Sequence, residues 1–123
     1  MKIISPKLHG IIDYLSVIFL FASPTLFVMT DDIAQYTYAL AFACLLLTIL
    51  TNYSYGLFRM IPLQLHGLIE LLMGIGLVVV SYTLLRYDER AKPFYLFFGI
   101  FVLIVFAFTD YNKKHDVATA PTL

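Results

Sequence analysis

His9 and Asp13 stand four residues apart, and so do His66 and Glu70, in two stretches of matching sequence: Leu-His-Gly-Ile-Ile-Asp at 8–13 and Leu-His-Gly-Leu-Ile-Glu at 65–70. On a helix this spacing puts the imidazole and the carboxylate on one face. Imidazole and carboxylate are ligands that zinc, manganese and iron accept, and the same pair can hold or pass a proton. Two histidines and two carboxylates suffice for a metal site if the pairs converge, although the di-metal bundle signature, Glu-x-x-His at i,i+3, does not occur in the chain. A second reading of the same residues keeps each histidine in the first turn of its helix at an aqueous interface, bonded to water or headgroups. Each carboxylate is then satisfied by its own histidine or by the helix N-terminus.

The segments that carry these pairs are apolar. Of 123 residues 61% are hydrophobic and only 13% charged, with eight acids and eight bases that, apart from Asp13 and Glu70, fall outside four long apolar runs. That composition describes a membrane protein whose solvent is the lipid bilayer. The formal net charge is zero and no basic block occurs, which sets nucleic acid aside as a partner. Cys44 is the single cysteine, so no disulfide forms within the chain, and we expect it to pack as a small apolar residue. We expect no enzymatic activity, because the sequence has no Gly-x-Ser-x-Gly elbow, phosphate-binding glycine loop or His-Glu-x-x-His motif. We expect no resident cofactor beyond a divalent metal at the four residues above. Haem is a weaker candidate, since His9 and His66 could ligate it but no Cys-x-x-Cys-His is present.

The apolar runs at 8–29, 33–51, 63–85 and 93–109 approach the roughly 20 residues that a helix needs to cross the hydrocarbon core. They predict an all-α fold, a four-helix transmembrane bundle in which short links make successive helices antiparallel neighbours. Ser5-Pro6 is a cap followed by proline at the first helical position, and Pro62 and Lys92-Pro93 are expected to start the third and fourth helices likewise. Thr30 with Asp31 and Asp32 suits the start of the second. Pro24 predicts a kink in the first span, with Ser23 and Thr25 available to the backbone group it frees. Gly10, Gly67, Gly74 and Gly76 predict close helix packing. Tyr53, Tyr55 and Phe58 on one side, and Tyr82, Tyr87, Phe94 and Tyr95 on the other, are expected at the two membrane interfaces, while the phenylalanines of 94–108 read as a lipid-facing or packing surface. Lys2, Lys7, Arg59, Lys113 and Lys114 lie on one side against Arg86, Arg90 and Lys92 on the other, which places both termini in the cytoplasm. His115 falls in a polar tail.

His66 follows His9 by 57 residues, and Glu70 follows Asp13 by the same 57 (66 minus 9, 70 minus 13). The pattern predicts one membrane domain made of two parallel two-helix repeats, at about 1–56 and 57–113, followed by a tail at 114–123. Both pairs then enter from the cytoplasmic side and can meet at the bundle centre. The chain resembles the SPW-repeat family of small bacterial integral membrane proteins, through Lys-Leu-His-Gly-Ile-Ile-Asp-Tyr at 7–14 and Ala-Ser-Pro at 22–24, with the opening repeated at 65–70. Thr25 stands where the family has tryptophan, and Val80-Ser81-Tyr82 where Ser-Pro-Trp would recur. The resemblance implies four membrane helices and the inner membrane of a bacterium, and brings no activity with it. Two function classes follow. One is a structural or interaction module, expected as a homo-oligomer because four short helices leave much apolar surface. The other is a transporter or channel-like protein whose site at His9, Asp13, His66 and Glu70 binds a proton, a cation or a small ligand.

Overall fold

Ser5 is extended and its hydroxyl accepts the Leu8 N–H at 3.2 Å, so the first helix, α1, starts at the expected cap and runs Pro6–Leu26 in the computed structural model of the chain. The structure describes residues 3–51, 58 and 60–109. Three further helices follow, α2 (Asp31–Leu50), α3 (Leu63–Tyr82) and α4 (Ala91–Phe108), and the described residues form an all-α four-helix bundle without strands. Helices of 18 to 21 residues rise about 27–32 Å, close to the roughly 30 Å hydrocarbon core, and each is long and apolar enough to cross a membrane.

Helix starts show what the sequence pattern resolves. Asp31 and Asp32 occupy the first turn of α2, as expected. Pro62 is not the first residue of α3 but the extended residue before it. The fourth helix begins two residues earlier than Lys92-Pro93 suggests, because the Asp88 carboxylate accepts the Arg90 and Ala91 N–H groups at 3.0 and 2.9 Å. Pro24 cannot donate to the Leu20 carbonyl, and the Ser23 hydroxyl takes that place at 2.8 Å, so α1 continues to Leu26. Past its end Val28 takes a left-handed backbone with φ of 51°, while the Met29 N–H returns to the Pro24 carbonyl at 3.0 Å.

α1 packs along α2 and α3 along α4, far more closely than any helix packs across the hairpins. Gly74 and Gly99 allow the second of these contacts: a Cβ on Gly74 would lie 2.7 Å from Leu103 Cδ2 and 3.3 Å from the Gly99 carbonyl. Gly76 faces open space and makes no such contact, contrary to expectation. The two hairpins meet around Leu20, Ala41, Leu77, Phe94, Phe98 and Val102. Phe94 and Tyr95, expected at an interface, are 2% and 6% exposed and belong to this core, whereas Tyr82 and Tyr87 are exposed under Lys92 and Arg86. An all-apolar helix has no polar face to reveal its rotation, and Tyr95 is drawn inward by a 2.7 Å bond to the buried Thr37 hydroxyl. Tyr53, Tyr55, Arg59, Lys2, Lys113, Lys114, His115 and the 114–123 tail lie outside the described residues.

Polarity runs opposite to that of a water-soluble protein. Within the spans His9, Asp13, Ser23, Thr37, His66, Glu70 and Ser81 are buried, while Leu15, Ile18, Phe42, Leu72 and Phe97 face outward. In lipid that arrangement is the stable one, since polar groups find partners only inside the bundle.

Candidate functional site

α1 and α3 begin at the same end of the bundle, where α2 and α4 end. Backbone bonds fix this junction: the Ile4 N–H donates to the Phe108 carbonyl at 2.9 Å, and the Ile61 N–H to the Leu50 carbonyl at 2.8 Å. Ile61 follows Ile4 by 57 residues (61 minus 4), so the two anchors occupy matching places in the two halves. His9 and His66 come about one turn into their helices and Asp13 and Glu70 one turn further, which sets all four roughly 5–10 Å inside the bundle end.

There they converge. His9 and His66 are 0% and 1% exposed, Asp13 and Glu70 8% and 5%. His9 Nε2 lies 3.2 Å from Asp13 Oδ1 and 2.9 Å from Glu70 Oε2; His66 Nε2 lies 3.0 Å from Asp13 Oδ2 and 3.6 Å from Glu70 Oε2. Each imidazole thus faces both carboxylates, one on its own helix and one on the other. The rings meet edge to face with centroids 5.3 Å apart. The reading that leaves each histidine at an aqueous interface, bonded to water or headgroups, does not describe this fold. Haem does not fit either, because a macrocycle has no room between rings this close.

The outer nitrogens are held by two threonines that sequence reasoning passed over. His9 Nδ1 is 2.8 Å from Thr109 Oγ1, and His66 Nδ1 is 2.6 Å from Thr51 Oγ1. Each threonine hydroxyl already donates to a carbonyl four residues back, Thr109 to Val105 at 2.5 Å and Thr51 to Leu47 at 2.6 Å. A hydroxyl has one hydrogen, so in both cases Nδ1–H is the donor and the threonine oxygen the acceptor. Nε2 is left facing the carboxylates. Two lone-pair nitrogens against two carboxylates would repel, and a cation among them, a proton or a metal ion, removes the repulsion.

The exchange is reciprocal between the halves, since the histidine of each is held by the threonine that ends the other. A repeated signal for these residues exists in the sequence: Thr-Asn-Tyr at 51–53 and Thr-Asp-Tyr at 109–111. Its spacing is 58 (109 minus 51) rather than 57, because the second half has a longer link between its helices, 83–90 against 27–30, which its slightly shorter helices do not fully offset. Thr37 and Tyr95 (95 minus 37) keep the same 58.

The donor set fits a divalent transition metal. Metal–ligand bonds of about 2.0–2.1 Å set tetrahedral donors roughly 3.3–3.4 Å apart. The four nitrogen–oxygen separations, 2.9 to 3.6 Å with both Asp13 oxygens taking part, lie around that edge, and one donor atom from each of the four residues lies within 4.8 Å of every other. Two carboxylates balance a divalent charge, and imidazoles whose second nitrogen is hydrogen-bonded have the support that metal-ligating histidines ordinarily have.

No family model matches the chain, and no characterised protein or solved structure matches it. Its chemistry is therefore read from the site itself.

Proposed function

We propose that the chain is a small integral membrane protein that binds one divalent transition-metal ion, of the zinc, manganese or iron class, through His9, Asp13, His66 and Glu70. The observation that carries this reading is that four buried residues from two hairpins each bring one donor atom to within 4.8 Å of the others. The threonine bonds support it, because they fix both rings with Nε2 inward before any ion arrives. A purely structural cluster is disfavoured by cost, since hydrophobic side chains of similar volume would join the hairpins without desolvating two carboxylates. On this reading the protein lies in a bacterial inner membrane with both termini cytoplasmic, and the site, near the end where the chain begins, receives its ion from that side. The likeness of 7–14 and 22–24 to the SPW repeat is in keeping with this setting.

Cobalt(II) titration of the detergent-purified protein tests the reading. We expect one cobalt per chain with the intense visible bands of a four-coordinate site, and their loss in a His9→Ala/His66→Ala variant. Cobalt binding that is equal in the wild type and this variant would refute the site.

A further inference from the structure

Against three of the four donor residues, Asp13, His66 and Glu70, lies a cavity of about 30 Å³ that Ser16, Thr48, Cys44 and Met73 also line. A water molecule needs roughly 10–15 Å³ measured this way, so the space holds an ion and a water. Cys44 Sγ lies 3.5 Å from Met73 Sδ, so the two sulfurs are neighbours on the cavity wall. Met73 is three residues beyond Glu70 on α3, which puts the sulfur pair about one turn, ~5 Å, deeper than the carboxylates. Further in, the buried side chains Leu20, Ala41 and Leu77 fill the interior.

A cysteine in a membrane helix ordinarily packs as a small apolar residue. Cys44 differs in lining the same cavity as the His66 imidazole, the Asp13 and Glu70 carboxylates and the Met73 thioether. We infer that Cys44 and Met73 form a second, softer station for the same metal, to which an ion held by His9, Asp13, His66 and Glu70 can pass through the cavity. The inference rests on the metal-binding reading and narrows it: thiolate and thioether favour thiophilic divalent cations such as zinc or cadmium over magnesium, calcium or manganese. Passage to the sulfur station would break the metal–carboxylate and metal–imidazole bonds and the Cys44 S–H bond, and form bonds from the metal to the Cys44 thiolate and the Met73 thioether. The released proton goes to Asp13 or Glu70, whose oxygens the metal has left, and no electrons are exchanged.

Cadmium is the probe. Titrated into the purified wild-type protein in detergent, it should produce a thiolate-to-cadmium charge-transfer band in the ultraviolet. Cys44→Ser should abolish the band and lower cadmium affinity at least tenfold while leaving the visible bands of bound cobalt in place; Met73→Leu should weaken cadmium binding in the same direction. Cadmium bound to the wild type without a charge-transfer band overturns the sulfur station and leaves the histidine–carboxylate site standing. A wild-type protein that binds neither cadmium nor cobalt overturns both. The decisive spectrum is that of the wild type, so a variant that fails to fold does not blur the result.

Discussion

The two ends of this bundle handle buried polarity in different ways. At the far end Thr37 bonds the Ile33 carbonyl at 2.8 Å and the Tyr95 hydroxyl at 2.7 Å, and Ser23 and Ser81 bond carbonyls three residues back on their own helices. All those groups are neutral. At the near end two imidazoles and two carboxylates face one another across two hairpins, and their mutual approach calls for a positive charge among them. Neutral polar residues serve to hold helices together; ionisable groups gathered this tightly are the mark of a site.

Removing one member from each end separates the two kinds of polarity. His66→Ala leaves Asp13 and Glu70 facing each other without the imidazole between them, and should lower stability in detergent by about 3–5 kcal/mol, the range for breaking a buried ion pair. Thr37→Val loses only neutral bonds, to the Ile33 carbonyl and the Tyr95 hydroxyl, and should lower it by about 1–2 kcal/mol. Chemical unfolding followed by helical circular dichroism compares the two, and equal losses would erase the distinction.

Within the near end the sharper question is whether the halves are equivalent. Thr51→Val and Thr109→Val each remove the acceptor of one histidine, and each should weaken metal binding by about 10–100-fold, the usual effect of losing a bond behind a metal-ligating histidine. Competition with a colorimetric chelator measures both, and a large effect at one threonine with none at the other would show that only one imidazole binds metal.

How much of this is legible in the sequence depends on the range of each contact. The histidine–carboxylate pairs are visible because they lie four residues apart on one helix face, and the four spans because apolar length is a local property. The threonines are not, since Thr109 reaches a histidine 100 residues away and the 58-residue spacing of Thr51 and Thr109 breaks the register of 57 that the histidines announce. Rotation of α4 is hidden for another reason: with almost every residue apolar, nothing in the pattern distinguishes inward Phe94 and Phe98 from outward Phe97. Cys44 reads as packing until the cavity places it below the carboxylates.

Helix contacts give a smaller, independent contrast. Gly74→Ala places a methyl against Leu103 and the Gly99 carbonyl where α3 meets α4, and should destabilise by about 1–3 kcal/mol. Gly76→Ala meets nothing and should be neutral or slightly stabilising through helix propensity. Thermal unfolding in one detergent ranks the pair, and the reverse order would contradict the packing.

The smallest effect is expected at the far end, where Val28 is the single described residue other than glycine with a left-handed backbone. Val28→Gly relieves that conformation at some entropic cost in the unfolded chain, for a net gain of up to about 1 kcal/mol. The gain should appear in thermal unfolding with metal affinity unchanged, because the turn lies at the end of the bundle opposite the site.

The central claim, that one metal ion sits among His9, Asp13, His66 and Glu70, is tested most directly by X-ray absorption at the zinc edge on protein loaded with one zinc per chain. We expect a four-coordinate shell of nitrogen and oxygen near 2.0–2.1 Å, with outer-shell scattering from two imidazoles that falls to one in His9→Ala. A shell made of oxygen alone, or zinc that washes away from the wild-type protein, would contradict it.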